Sequence, residues 1–130
     1  MKTVITFGTF DLFHIGHLSV LRRSAQLGDR LVVGISSDEF TYQKKSRYPV
    51  FKEDDRQKIV QALKWVDNTF IEESFSKKRQ YILDQHADIL VMGDDWKGRF
   101  DEFNDMCRVV YLPRTTGIST TEILAVIKDM

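Results

Sequence analysis

Two histidines three residues apart, His14 and His17, stand in the stretch FGTFDLFHIGHLS (Phe7 to Ser19), between an apolar run and a helical pattern. Imidazoles in that arrangement can ligate zinc, pack in a core or donate hydrogen bonds to an anion. Zinc needs three or four protein ligands; with Cys107 alone and His86 far along the chain, the remaining set is poor. A structural pair explains the residue types but not their place, at the mouth of a helix that follows a strand. A helix offers free N–H groups and the positive end of its dipole there. Gly16 lets the backbone come close to an anion, and two imidazoles add donors. The position favours phosphate binding.

A second anion site is spelled near the other end, in GISTT (Gly117 to Thr121). Gly117 permits a close approach or a positive φ. Ser119 as N-cap and Glu122 three residues on form a capping box; a cap needs one hydroxyl and three are present, so Ser119, Thr120 and Thr121 are read as capping and binding together. Arg114 precedes this loop. Lys44, Lys45 and Arg47 make a basic cluster, in which Lys45 reads as part of a solvated face. In GDDW, the carboxylates of Asp94 and Asp95 are suited to a base amino group, a ribose or a metal ion. Trp96 either walls a base or packs in the core. Asp11 is read as an organiser of its loop rather than a proton carrier.

The elements that must position these residues alternate. TVITF (Thr3 to Phe7) and LVVGIS (Leu31 to Ser36) are short β-branched runs of the kind buried on both faces of a sheet. Between them Leu18, Leu21 and Ala25 share a helical face, with Gly28 where a C-cap should stand. A helix with Asp54 and Asp55 in its first turn carries Ile59, Leu63 and Val66 and ends near Asp67. Strands at 69–71, 87–93 and 108–112, a polar helix around 77–85 and a last helix behind Ser119 complete the chain. Such alternation predicts an α/β fold with a mostly parallel sheet and helices on both faces, binding its ligand beyond the carboxyl ends of the strands. The loops after Phe7, Ser36, Met92 and Leu112 hold nearly all the unusual residues; SDEFTYQKKSR is read as one of them.

Size and charge set the bounds. With 130 residues, 42% of them hydrophobic, the chain is expected to form a single domain over 1–130. Nineteen Lys and Arg balance nineteen Asp and Glu, which argues against nucleic acid or an anionic membrane as the main partner. One cysteine cannot close an intramolecular disulfide, and VITF is too short for a signal-peptide core, so a cytoplasmic protein is expected.

HIGH preceded by GTFD resembles the signature of the nucleotidyltransferase superfamily, whose HxGH histidines hold the triphosphate of a nucleotide. Class I aminoacyl-tRNA synthetases share it but are several times longer and carry a KMSKS loop. This chain instead has RTTGISTT (Arg114 to Thr121), which matches RTxGISTT, the second signature of the cytidylyltransferase branch. With SSDEF, VMGDDW and VVYLPR in order and at matching spacing, the chain resembles the glycerol-3-phosphate cytidylyltransferases over essentially its whole length.

That resemblance implies a Rossmann-like three-layer sandwich with a five-stranded sheet, a homodimer, CTP with Mg²⁺, and transfer of a cytidylyl group to sn-glycerol 3-phosphate. CDP-glycerol for a cell-surface polymer, teichoic acid or capsule, is the implied product. His14, His17, Lys44 and Arg114 take the catalytic positions. The nucleotide would meet Gly8, Thr9, Phe10 and Asp11, then Ile15 and Gly16 at the first helix mouth, with Arg47, Asp94 and Trp96 beside it. Thr115, Thr116, Gly117, Ile118, Ser119, Thr120 and Thr121 would supply the second mouth. Mg²⁺ is expected on the CTP phosphates, with no metal held by the protein itself. For the acceptor the resemblance implies Lys44, Arg56 and Lys78, with Lys64 and Phe75 where the family has an arginine and a tryptophan. Three rival readings stand beside it: an ATP-using adenylyltransferase, a cytidylyltransferase for phosphocholine or phosphoethanolamine, and a nucleotide-binding module without turnover.

Overall fold

The computed structural model describes residues 1–115 and 117–130; Thr116, expected at the nucleotide, lies outside the described residues. Strands β1 (Thr3–Gly8), β2 (Arg30–Ser36), β3 (Asn68–Glu72), β4 (Ile89–Gly93) and β5 (Arg108–Leu112) form one sheet in the order β3-β2-β1-β4-β5. Every neighbouring pair is parallel, so the sheet expected to be mostly parallel is parallel throughout. The chain runs from β1 to β2 on one side, while β4 adds to the other. The crevice above β1 and β4 is therefore the topological switch point, where open α/β sheets bind ligands.

Helices α1 (Ile15–Ala25), α2 (Asp38–Lys45), α3 (Glu53–Gln61), α4 (Lys78–Asp84) and α5 (Thr120–Lys128) connect or follow the strands. Alternate side chains of the central strands point to opposite faces, and two cores result. Val4, Leu31, Val33, Ile35, Ile89 and Val91 pack with Leu21 of α1 and Val60 of α3. Ile5, Phe7, Leu90 and Met92 pack with Ile82 of α4 and with Phe100 and Phe103 from the segment before β5. This is the three-layer arrangement expected of a sheet covered on both faces. No helix among the described residues is long and apolar enough to cross a membrane.

Three local expectations are corrected. Residues 38–45 are a helix rather than loop: Ser37 caps α2 by accepting from the Phe40 N–H, and Asp38 and Glu39 sit in its first turn. Only Phe40 and Thr41 of α2 are buried, so its apolar periodicity is too short to read. Helix α3 stops at Gln61, and Leu63 and Val66 reach the core from the turn that follows. Gly28 is not the cap of α1, which is Gln26; a Cβ on Gly28 would lie 2.7 Å from the Lys2 carbonyl oxygen, so glycine is required there for close chain approach.

Gly34 in β2 serves the second core in the same way. A Cβ there would lie 2.5 Å from Phe7 Cδ1 and 2.9 Å from Phe70 Cζ, atoms of two rings packed edge to face. Gly34→Ala is expected to destabilise the fold by about 1–3 kcal/mol, the usual cost of overpacking, read as a lowered denaturation midpoint at unchanged m-value.

Candidate active site

The stretch HIGH folds on itself. His14 is the N-cap of α1 in an extended conformation, and its Nδ1 accepts from the Gly16 N–H at 3.0 Å. His17 Nδ1 accepts in turn from the His14 N–H at 3.3 Å. The two rings stack, with centroids 3.8 Å apart and planes inclined by 24°. A ring nitrogen that accepts from an N–H carries no proton, so the hydrogen-bond pattern assigns the proton of each neutral ring to Nε2. Burial lowers the pKa of His17 to about 3, with His14 and Lys45 adding to the effect. Burial and then Arg114 lower that of His14. Both rings are thus hydrogen-bond donors at neutral pH rather than cations. Gly16 is what allows it: a Cβ there would lie 2.8 Å from His14 Cε1.

The loop before them is held from two sides. Phe10 and Leu12 adopt positive φ values of 54° and 50°, a conformation that residues other than glycine rarely adopt unless tertiary contacts hold it. The buried Asp11 carboxylate accepts from the Val50 N–H at 2.7 Å and the Phe51 N–H at 2.9 Å. Its backbone carbonyl accepts from Thr120 Oγ1 at 2.9 Å. Asp11 is the organiser that its position suggested, and Thr120 is the link that brings the second helix mouth to the first. Ser119 caps α5 by accepting from the Glu122 N–H at 3.1 Å. Gly117 has φ of +81° with no atom within 4 Å of where a Cβ would stand, so its purpose is the positive φ and not close approach.

These pieces enclose a cavity of about 370 Å³ at the carboxyl edge of the sheet. Gly8, Thr9, Phe10 and Asp11 line it on one side, Gly16 with His14 and His17 form the first helix mouth, and Arg114, Thr115, Ile118, Ser119, Thr120 and Thr121 form the second. Lys45, Arg47, Asp95 and Trp96 close it. A second cavity, of about 430 Å³, adjoins it and is lined by Lys44, Phe75, Lys78, Trp96, Arg99 and Phe100 among others. Trp96 is common to both and packs on the second core as well. The core-packing reading of that tryptophan holds, and its place on the wall of both cavities leaves a face open to a ligand.

The fold thus sets a donor-lined cavity over the switch point, with a cationic and aromatic one at its side. The cytidylyltransferase-like family model matches residues 5–126. The chain belongs to that family. It is 52% identical over 124 residues to the glycerol-3-phosphate cytidylyltransferase of Bacillus subtilis (strain 168), covering 95% of each chain. It is 34% identical over 123 residues to the ethanolamine-phosphate cytidylyltransferase of Dictyostelium discoideum, covering 90% of this chain and 34% of that one. Among solved structures it resembles the lipopolysaccharide core biosynthesis protein from Thermoplasma volcanium GSS1, with a TM-score of 0.76 and 26% identity over 88% of this chain and 98% of that one.

As a cytidylyltransferase-like chain it departs from the residue-by-residue expectation at several places. Arg56 is wholly buried and donates to the carbonyls of Phe51, Thr9 and Ser36 and to Asp38, so it braces loops rather than facing an acceptor. Lys64 lies in the turn before β3, with its Nζ 5.2 Å from the Trp65 ring. In a parallel sheet the segment before a strand is at the amino edge, opposite both cavities. Ile15 is 59% exposed and Gly117 and Asp94 stay outside the cavity wall, where Asp95 stands instead. A Cβ on Gly93 would lie 2.7 Å from Asp95 Oδ1, so the glycine ending β4 makes room for that carboxylate.

Lys45 is exposed, as a solvated face implies, but it also lines the first cavity, a placement that the charge run concealed. The phase of α2 sends it to the cavity of the two helix mouths and Lys44 to the neighbouring one. Lys44 Nζ donates to Ser36 Oγ at 2.8 Å. Burial lowers the Lys44 pKa to about 8, against the raising effect of Glu72. Burial, then Arg47, lowers that of Lys45. Reading 38–45 as a helix would have separated the two lysines by about 100° and flagged the difference.

Three outcomes follow from the histidine geometry. In an NMR titration between pH 5 and 8 the His17 ring resonances are expected to stay fixed; a midpoint near 6.5 would overturn the neutral assignment. Because the His17 pKa is lowered on folding, the unfolded state takes up its proton first as pH falls below 6.5. The contribution to stability is therefore whole above that value and shrinks toward the folded pKa of about 3. Gly16→Ala is expected to displace the His14 ring and lower turnover about 10-fold or more, on the scale of a misplaced catalytic group, at near-unchanged melting temperature.

Proposed function

We propose that the chain transfers a cytidylyl group from CTP to sn-glycerol 3-phosphate, giving CDP-glycerol and pyrophosphate. The observation that carries this reading is the pair of adjoining cavities with Trp96 between them, one walled by two helix mouths and the other by lysines. The similarity to a glycerol-3-phosphate cytidylyltransferase at 52% identity, against 34% for an ethanolamine-phosphate one, supports the choice of acceptor.

In this reaction an oxygen of the acceptor phosphate bonds to the α-phosphorus of CTP. The bond from that phosphorus to the bridging oxygen breaks, and its electron pair leaves with pyrophosphate. The acceptor phosphate, with a second pKa near 6, is already mostly dianionic at pH 7, so no general base is needed. The protein must align two anions and stabilise charge growing on the leaving group. The Nε2–H groups of His14 and His17 are preorganised donors for that charge, and Lys45, Arg47 and Arg114 add positive charge around the same cavity. Lys44, at the second cavity and hydrogen-bonded to Ser36, meets the acceptor phosphate.

Mg²⁺ belongs to this reading as the partner of the CTP phosphates, lowering their repulsion. Among the described residues no three His, Cys, Asp or Glu side chains gather as they would in a protein-held metal site, and Asp95 is the cavity-lining carboxylate nearest that role in chemistry. The same reading takes the enzyme to be a cytoplasmic homodimer; the exposed Val126 and Ile127 of α5 are apolar surface that such a contact would cover.

Pyrophosphate release with CTP and Mg²⁺ tests the reaction, using sn-glycerol 3-phosphate, phosphocholine, phosphoethanolamine and ribitol 5-phosphate in turn. The glycerol ester is expected to give the highest kcat/KM, and a higher value for any other refutes the acceptor assignment. His14→Ala and His17→Ala are each expected to lower kcat by about 100-fold or more, the scale of losing a preorganised transition-state donor, with folding retained. Wild-type turnover in a folded variant would remove the histidines from the mechanism.

A further inference from the structure

The second cavity has aromatic walls of the kind that hold organic cations, yet its cation is part of the chain. Lys78, the first residue of α4, is driven inward: its side chain is 2% exposed. Its Nζ lies 3.7 Å from the centroid of Phe7, 5.0 Å from Phe100 and 5.7 Å from Phe75. All three distances are within the range of a cation–π contact. The ammonium is paired at 2.8 Å with Glu72, whose side chain is also 2% exposed. Carboxylate and rings together are the constellation that recognises a quaternary or primary ammonium ligand, and here Lys78 completes it from within.

We propose that Lys78 is a specificity residue: it fills an ammonium-binding cage behind the acceptor cavity and thereby excludes phosphorylated alcohols with a cationic end. The proposal rests on the acceptor reading above. An incoming ammonium head finds the ring faces taken and a like charge behind them, while an uncharged polyol end loses nothing. Glu72 cannot draw the head in, because its charge is already matched and it lies below the lysine. Lys78 is thus a plug and counter-charge rather than a ligand of the acceptor phosphate, a task left to Lys44, whose Nζ reaches the cavity edge beside Ser36. Discrimination of this kind works by denying a site to the wrong partner.

Removing the plug should create the site. Lys78→Ala leaves Glu72 and the three rings around an empty ammonium position. Calorimetric titration with tetramethylammonium chloride, against sodium chloride at equal ionic strength, reads this without CTP or turnover. The wild-type protein is expected to show no binding, and Lys78→Ala to bind at least about 10-fold more tightly than any residual wild-type affinity. Lys78→Ala/Glu72→Gln, which leaves no unpaired buried charge, keeps the test alive if the single variant does not fold; its rings alone should still bind. In the folded variant the preference for glycerol 3-phosphate over phosphocholine, in kcat/KM, should fall by about 10-fold or more. Tetramethylammonium binding to the wild-type cage, no gain in a folded variant, or an unchanged acceptor ratio each overturns the proposal. Absence of pyrophosphate release with every acceptor would instead refute the proposed reaction and leave the cage titration to decide on its own terms.

Discussion

One guanidinium holds the carboxyl edge of the sheet together. Arg56 of α3 is fully buried and donates to the Thr9 carbonyl after β1, the Ser36 carbonyl ending β2, the Phe51 carbonyl before α3 and the Asp38 carboxylate at the start of α2. Carbonyls at strand ends point away from the sheet and need donors once water is excluded. A planar side chain with five N–H groups can serve several of them at once, which an ammonium cannot do with the same geometry. The paired charge with Asp38, at 2.8 Å, is what makes burying the guanidinium tolerable.

Asp11 continues the same construction one loop further. Its carboxylate ties the loop after β1 to the segment at 50–51, which Arg56 holds from below, and its carbonyl receives Thr120 from the far end of the chain. The two helix mouths are therefore tied to each other by hydrogen bonds through Asp11. The positive φ of Phe10 and Leu12 is sustained by this frame. Strain of this sort persists only where surrounding contacts over-determine the backbone, and here those contacts are the ones that shape the cavity.

The electrostatics of the site follow from how deeply each group is set. The histidines lose their protons to burial and so present directed donors without adding charge, while lysines and arginines around the rim carry the positive potential. Division of the work in this way suits the proposed reaction, whose reactants are both anions: a positive rim raises their local concentration, and fixed donors suit growing charge. Trp96 separates the two cavities, and the cation beneath the second is held in a buried pair with Glu72.

Much of this was legible in the residues themselves. Alternating apolar runs and helical faces determined a parallel α/β sheet, and that topology alone puts the loops after β1, β2, β4 and β5 on one edge. HIGH and GISTT were readable because N-caps, glycine and helix mouths act within a few residues. Only the tertiary structure decided which way the longer side chains face: Arg56 turned inward as a brace, Lys64 on the far edge, Lys45 and Lys44 on different cavities, Lys78 in an aromatic cage. Their charge is visible in the sequence, but its direction depends on helix phase and on partners far along the chain, as with Arg56 and Thr9 or Lys78 and Phe7. A local pattern specifies what a side chain can do, and long-range packing selects what it is next to.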